Sequence, residues 1–280
     1  MTMVAHLSDL HFGTEDPGIA SALLDELRAT MPTVIAISGD LTQRARPEQF
    51  AAARAYLDRM PAPYLVVPGN HDIPLYRVVA RFRHPLRDYQ RHITTDRTPT
   101  FTDSELCVVG IDTAHGFTFK GGKVRIDQLA DACDVFALNQ HRWKLLVAHH
   151  PFVLPAGVPI SDLVEGAPTA LHQLVQARVD LILTGHLHAS YSSDAAGFRD
   201  RGHNVIAVHA GTCISTRTRG EPNGYNRIVL DEAVVSITHR VWQRDHFVDG
   251  PSKRYRRGGA ADHLVKVGET MGAQVSDASR

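Results

Sequence analysis

Residues 3–11 read Met3-Val4-Ala5-His6-Leu7-Ser8-Asp9-Leu10-His11: a short apolar run that stops abruptly at an Asp-x-His pair. The pattern returns four times. Val34-Ile35-Ala36-Ile37 ends in Ser38-Gly39-Asp40, and Tyr64-Leu65-Val66-Val67 ends in Pro68-Gly69-Asn70-His71-Asp72. Trp143–Ala148 ends in His149-His150-Pro151, and Leu181–Leu183 ends in Thr184-Gly185-His186-Leu187-His188. Short, wholly apolar runs are expected as strands buried on both faces. Between the first three runs lie helical patterns. One places Ile19, Leu23, Leu24 and Leu27 after Pro17; the other places Phe50, Ala53, Arg54 and Leu57 after Pro47. Strands alternating with helices predict an α/β fold built from βαβ units. In a mostly parallel sheet the C-terminal strand ends share one edge, where α/β proteins assemble their sites. The five donor-bearing ends are therefore expected to converge.

Outward from these runs, residues 74–100 are basic, broken by prolines, and read as a loop with a short helix. Leu106–Ile111 is expected as a strand, Asp127–Leu138 as a helix, and a further helix lies near residues 168–178. Residues 151–168 carry four prolines and read as a long loop, a candidate lid. Asn204–His209, Arg227–Leu230 and Val234–His239 are short β-runs with no helix between them, so this part is expected to be antiparallel. Residues 1–245 are taken as one domain. Residues 246–280 read as a basic and polar tail, beginning with Lys253-Arg254-Tyr255-Arg256-Arg257 and ending in the polar stretch Gln274–Arg280.

Composition narrows the class. Of the 280 residues 43% are hydrophobic and 21% charged, enough apolar surface for a folded core. Thirty Lys and Arg balance 30 Asp and Glu, which argues against nucleic acid as the main partner. No apolar stretch reaches the roughly 18 residues of a membrane span, and the N-terminus lacks a signal-peptide pattern. Cys107, Cys133 and Cys213 are far apart, form no zinc-type pair and suit a reducing cytoplasm. Histidine occurs 17 times, more often than proline. Histidine is the commonest metal ligand and the usual acid or base near neutral pH.

Alone, Gly-Asp after a strand reads as a turn, while Asp-x-His and His-x-His favour a site more, with helix caps and core histidines as the other readings. Five at strand ends are hard to explain that way. In Asp9-x-His11 and His186-x-His188, alternate residues of an extended segment would point the same way. Gly39, Gly69 and Gly185 would allow the chain reversal that presents the next side chain. Seven donors, two of them carboxylates, exceed one four-coordinate zinc and suit two ions of higher coordination. Imidazole, carboxylate and amide without thiolate point to Mn, Fe, Zn, Co or Ni rather than Ca or an iron–sulfur cluster.

The order D-x-H, G-D, G-N-H-D, H-H-P, G-H-x-H over residues 9–188 resembles the calcineurin-like metallophosphoesterase superfamily. The resemblance implies a two-sheet β-sandwich flanked by helices and a binuclear centre, with Fe/Mn the first expectation among Mn, Fe, Zn and Co. Carried over by motif position, Asp9, His11 and His188 would hold one metal. Asn70, His149 and His186 would hold the other, and Asp40 would bridge them. His71 would be the catalytic histidine facing the substrate, oriented by Asp72. His150 falls outside the family's ligand pattern and is read as supporting or structural. Two divalent cations against Asp9 and Asp40 leave the site at about +2, which draws in a phosphate ester and serves attack by a metal-bridging hydroxide.

Leu7-Ser8-Asp9-Leu10-His11 and Gly39-Asp40-Leu41-Thr42 are similar to the class III cyclic-nucleotide phosphodiesterases and to bacterial glycerophosphodiesterases. The implied activity is hydrolysis of a small phosphodiester, either a cyclic nucleotide or a glycerophosphodiester-like molecule. A phosphomonoesterase or nuclease of the same superfamily, and a metal-free binding scaffold on the same fold, are the alternatives.

Other features have two readings. Arg77, Arg81, Arg83, Arg87 and Arg91 form a solvated helix face or a rim that steers anions. Arg217, Arg219 and Arg227 flank a Gly/Pro/Asn turn that is either solvated or close to the site. Cys213 is expected as a small buried residue. The Lys253–Arg257 run is either solvated or packed on a partner subunit, which leaves a homo-oligomer open.

Overall fold

The computed structural model describes residues 1–117, 121–200, 203–258 and 263–272, with side chains for all of these except 196–200. The strands are β1 (Thr2–Leu7), β2 (Val34–Ile37), β3 (Tyr64–Val66), β4 (Thr100–Thr102), β5 (Leu106–Gly110), β6 (Trp143–Val147) and β7 (Leu181–Thr184). They continue with β8 (Tyr191–Asp200), β9 (His203–His209), β10 (Gly224–Leu230), β11 (Val234–Gln243), β12 (His246–Gly258) and β13 (His263–Thr270). The helices are α1 (Pro17–Thr30), α2 (Pro47–Leu57), α3 (Val78–Arg83), α4 (Arg87–His92), α5 (Ile126–Ala137) and α6 (Ala167–Gln176).

Alternation along the apolar strands decides which layers meet. Successive side chains of a strand point to opposite faces. Val4, Val34, Ala36, Leu65 and Val67 face Val108, Leu145, Val147, Leu181, Leu183, Ile206 and Val208 in one buried cluster. Their neighbours Ala5, Leu7, Ile35 and Ile37 face the other way, against Leu23, Leu24 and Leu27 of α1 and Phe50 of α2. On the far side Cys107, Val109, Leu146 and Ile182 meet Leu129 and Phe136 of α5 and Leu171 and Leu174 of α6. The result is helix, sheet, sheet, helix. It explains why these strands are apolar throughout: one face packs on helices and the other on a second sheet.

One sheet has the order β13-β12-β11-β10-β1-β2-β3 and the other β4-β5-β6-β7-β9-β8. β1, β2 and β3 are parallel, as are β5, β6, β7 and β9. The donor blocks therefore do not share one sheet edge. They leave the C-terminal ends of strands in two sheets that face each other. Asp16 caps α1 through its Oδ1, which accepts from the Gly18 and Ile19 amides at 2.8 and 3.1 Å, and Pro17 opens the first turn.

The second half departs from expectation in three places. β9 pairs parallel with β7, although β10 and β11 pair antiparallel as expected. β8 was not anticipated, because Tyr191-Ser192-Ser193-Asp194 is too polar to read as a strand; it pairs antiparallel with β9. The expected tail is corrected over most of its length: residues 246–258 and 263–270 are β12 and β13, which extend the first sheet. Gln274–Arg280 lies outside the described residues. Within β12, Tyr255 is buried, and Arg257 donates to Asp180 Oδ2 at 2.6 Å while lying 3.7 Å over the Trp143 ring. Lys253 Nζ donates to the Ser192 carbonyl at 2.7 Å. The basic run is thus half inward and half exposed, with Arg254 and Arg256 on the outer face. A strand alternates, so its charge run cannot be read as one face.

Candidate functional site

All seven expected metal donors come together at the mouth of the sandwich. Asp9 Oδ1 lies 3.4 Å from His11 Nε2 and 3.5 Å from His188 Nε2. Asn70 Oδ1 lies 3.1 Å from both His149 Nε2 and His186 Nδ1. Asp40 stands between: its Oδ2 is 3.6 Å from His11 Nε2 and its Oδ1 is 3.4 Å from His149 Nε2. One carboxylate oxygen thus addresses each side. Asp9, His11, Asp40 and His149 are fully or almost fully buried.

The donors are held by their outer atoms. His149 Nδ1 donates to the Ser38 carbonyl at 2.7 Å, and His11 Nδ1 faces the Thr42 carbonyl at 3.4 Å. His188 Nδ1 bonds Thr212 Oγ1 at 2.6 Å. Each ring therefore turns Nε2 inward, the way a ligating histidine is oriented by a partner on its other nitrogen. His186 is the exception and presents Nδ1.

The backbone differs from the extended segments expected. Asp9, His11, Asp40, His186 and His188 all adopt positive φ, between 46° and 72°. Such angles are uncommon outside glycine and cost of order 1–3 kcal/mol each, so the surrounding structure must enforce them. The donors make the chain reversals themselves. Gly39 has φ +93°, but Gly69 serves close approach instead: a Cβ there would lie 2.1 Å from Asp40 Oδ1. The same holds at Gly185, where a Cβ would meet Ser8 Oγ at 1.8 Å.

The charges respond to this crowding. Burial works against the Asp40 carboxylate, yet His149, His71 and His11 hold it well below the usual range. Asp9 is likewise held low against its burial by His188 and His11. His149 is raised to about 9: burial opposes its charge, and Asp40 outweighs burial. Burial lowers His186 to about 3, helped by His149, and lowers His188 to about 4.

Asp72 is not where the resemblance put it. Its carboxylate accepts from the backbone amides of Leu41, Thr42 and Gly69 and from Thr42 Oγ1, at 2.9 to 3.1 Å. It clamps the Asp40 loop to the Gly69 loop and does not hold the His71 ring. The ring's partner is the Gln43 carbonyl, 2.9 Å from Nδ1. A carbonyl only accepts, so Nδ1 carries the proton and Nε2 is left as an acceptor. Arg217 Nη1 reaches it at 2.9 Å. Thr212, Ser38, Gln43 and Arg217 therefore support the site without any local sequence signal. Only the Gly/Pro/Asn turn beside Arg217 hinted at one of them.

A cleft of about 200 Å³ opens over these groups, lined by Asp40, Asn70, His71, His186 and His188 with Gln43, Arg44, Arg81, Arg217 and Arg219. The 151–168 loop, expected as a lid, contributes no residue to that lining. The basic stretch divides: Arg81 is buried and lines the cleft, Arg77 pairs with Asp88, and Arg83, Arg87 and Arg91 are exposed. Arg227 pairs with Asp249 away from the cleft. His150 is buried, bonds Thr113 Oγ1 at 2.9 Å and packs 4.9 Å from both His149 and His186. Cys213 is buried as expected, and no described helix is long and apolar enough to cross a membrane.

Comparison with known proteins agrees with this geometry. A probable cyclic nucleotide phosphodiesterase of Synechococcus is 25% identical over 200 residues, 67% of this chain and 74% of that protein. The glycerophosphodiester phosphodiesterase GpdQ of Enterobacter lignolyticus is 34% identical over 82 residues, 25% of this chain and 29% of that one. Among solved structures, a purple acid phosphatase from yellow lupin seeds superposes with a TM-score of 0.66 at 13% identity. It matches 90% of this chain, which spans about half (53%) of the phosphatase. GAP50, described as the anchor in the inner membrane complex of Plasmodium, gives a TM-score of 0.58 at 15% identity, over 88% of this chain and 86% of that one. These two likenesses concern the fold. The calcineurin-like phosphoesterase family model matches residues 2–190, two thirds of the sequence, so the chain belongs to the calcineurin-like phosphoesterase family.

Proposed function

We propose that the protein is a metal-dependent phosphodiesterase that hydrolyses a small phosphodiester. The observation that carries this reading is the pair of atoms Asp9 Oδ1 and His11 Nε2, buried, facing each other and without a hydrogen-bond partner. Buried polar atoms in proteins are as a rule paired, and an orphan costs about 1–3 kcal/mol. A cation between them satisfies both. The donor set fits a borderline divalent ion such as Mn, Fe, Zn or Co, with Fe and Mn the first expectation from the family resemblance. Asp9, His11 and His188 would hold one ion, Asn70, His149 and His186 the second, and Asp40 would serve both.

Divalent cations there would supply Lewis acidity toward the phosphoryl oxygens and lower the pKa of an attacking water. The chain's own residues do the rest. Hydrolysis forms a bond from water oxygen to phosphorus and breaks the bond to the leaving alkoxide, which must take a proton. His71 Nε2 faces the cleft for that transfer, while Nδ1–H stays on the Gln43 carbonyl. The attacking water loses a proton as its oxygen bonds to phosphorus; taken up at His71 Nε2, whose basicity burial lowers, that proton passes on to the leaving alkoxide. Asp72 keeps the His71 and Asp40 loops in register. The diester preference is supported by the phosphodiesterase names of both sequence relatives and by a cleft that the 151–168 loop does not roof.

Bis(p-nitrophenyl) phosphate and p-nitrophenyl phosphate, assayed with the metal-supplemented protein, test the reading. The diester is expected to show the higher kcat/KM, a chelator to abolish both activities and Mn²⁺ to restore them. A clear preference for the monoester overturns the phosphodiesterase reading and leaves the family standing.

A further inference from the structure

The cleft carries more positive charge than one diester can use. Arg44, Arg217 and Arg219 line it, and among the described residues none of the three has a carboxylate partner. Some arginines elsewhere are paired, such as Arg54 with Asp58, Arg97 with Asp112, Arg240 with Glu26 and Arg257 with Asp180, and others lie singly on the outer surface; these three instead line one cleft. The three cleft arginines also feel one another. Burial and the charges of Arg219 and Arg44 disfavour the Arg217 guanidinium, with Asp40 and Asp9 opposing them. Like charges held together are destabilising, and an anion bound among them lessens the penalty.

The arrangement is built rather than incidental. The 212–217 segment is pinned to the rest of the site. Thr212 Oγ1 bonds His188, and the Cys213 amide donates to the Ser8 carbonyl at 3.1 Å. Ser215 Oγ bonds Thr14 Oγ1 at 2.8 Å, and Asn223 Nδ2 donates to the Ser215 carbonyl at 2.8 Å. Arg217 is therefore carried on a fixed strut beside His71. Across the cleft, Arg44 lies 6.0 Å over the Tyr76 ring.

A diester phosphate has one negative charge and two free oxygens. The cations proposed to sit on Asp40 and the donors around it would already answer that charge. We propose that Arg44, Arg217 and Arg219 form a second anion subsite, and that the substrate is a phosphodiester whose organic arm bears a further phosphate. Guanidinium groups bind phosphate through paired, charge-assisted hydrogen bonds, which makes arginine the fitting residue for that task. The inference rests on the phosphodiesterase reading for the bond that is cleaved, and on the arginines alone for the second phosphate.

The test compares ligands that differ by that phosphate only. Binding of thymidine 3′,5′-bisphosphate and of thymidine 5′-monophosphate to the Mn²⁺-supplemented protein is measured by calorimetry. Cleavage of thymidine 5′-(p-nitrophenyl phosphate) is compared with that of its 3′-phosphorylated form. The bisphosphate is expected to bind about tenfold more tightly or better, with a matching gain in kcat/KM for the phosphorylated ester. The exposed pair Arg44→Gln and Arg219→Gln, combined, should erase both preferences, so that the two nucleotides bind alike and the two esters are cleaved with equal kcat/KM. Equal binding of the two nucleotides by the unaltered protein overturns the subsite, as does a preference that survives in the double variant. If the binding preference holds and neither ester is cleaved, the phosphodiesterase reading falls and the anion subsite stands.

Discussion

On either side of Asp40 the molecule gathers three donors, and the two triplets are built differently. Asn70 Oδ1 lies within 3.1 Å of both His149 and His186, so an amide oxygen answers the rings of its own triplet. The other triplet has no such internal settlement. Asp9 Oδ1 and His11 Nε2 are buried without partners, and the His11 and His188 rings stack 5.2 Å apart. The first arrangement is tolerable as a hydrogen-bonded cluster. The second would gain the more from a cation among its donors, because orphaned buried polar atoms are expensive. The Asp9 side should therefore be the more demanding of a cation, and Asp40 the group on which both sides depend.

The largest effect is expected where the two sides meet. Asp40→Ala should strip metal from both triplets and reduce turnover beyond the roughly 10²–10³-fold loss typical of removing one stabilising donor. Asp9→Ala should lose ion from its own side only. Elemental analysis of the two folded variants decides, and two full equivalents of metal in Asp40→Ala would remove the basis of the comparison. Next comes His71, which belongs to neither triplet. His71→Ala should keep its metal and lose about 10²–10⁴-fold in kcat, the range for a positioned acid–base group. An unchanged kcat would make the residue structural, and loss of metal would make it a ligand.

A smaller effect separates the two sides directly. Thr212 steadies His188 alone, so Thr212→Val should weaken one of two ions by about 10–100-fold in a chelator competition. Equal weakening of both ions would show that the triplets act as a unit.

The smallest effect concerns His6 and His209, both fully buried beneath the site, where burial lowers each to about 3. In the unfolded chain both titrate near 6.5. Between those values the unfolded state binds more protons, so their stabilising contribution is complete above pH 6.5 and is lost as pH falls toward 3. The slope is at most about 1.4 kcal/mol per pH unit for each histidine. Urea unfolding of the chelator-treated protein should show a midpoint that falls from pH 6.5 to 5. A midpoint that rises over that range contradicts the neutral, buried assignment.

The donor blocks were legible because each is local. An apolar run of four to six residues followed at once by Asp, His or Asn states both the strand and the ligand in one short stretch, and the order of the five blocks carries the family. The wholly apolar strands also announced burial on both faces, although not that a second sheet supplies one of those faces. What stayed hidden is long-range. Thr212 and His188 are 24 residues apart, His149 and the Ser38 carbonyl 111, and Arg217 and His71 146. No periodicity records such pairs, because they exist only once separate layers have packed.

The same reason accounts for the errors. Asp72 follows His71 in sequence, yet a tight 3₁₀ turn over residues 70–72 sends its carboxylate to the Leu41 and Thr42 amides instead of the neighbouring ring. Residues 246–258 and 263–270 carry too many charges to look like strands, but as β12 and β13 at one end of a sheet they need only alternate residues inward, as Tyr255 and Arg257 show. By itself the sequence determined which atoms are available to hold a cation and to act on a phosphate. The tertiary structure decided which neighbour aims each of them, because hydrogen-bond partners and burial are properties of the packed layers and not of adjacency along the chain.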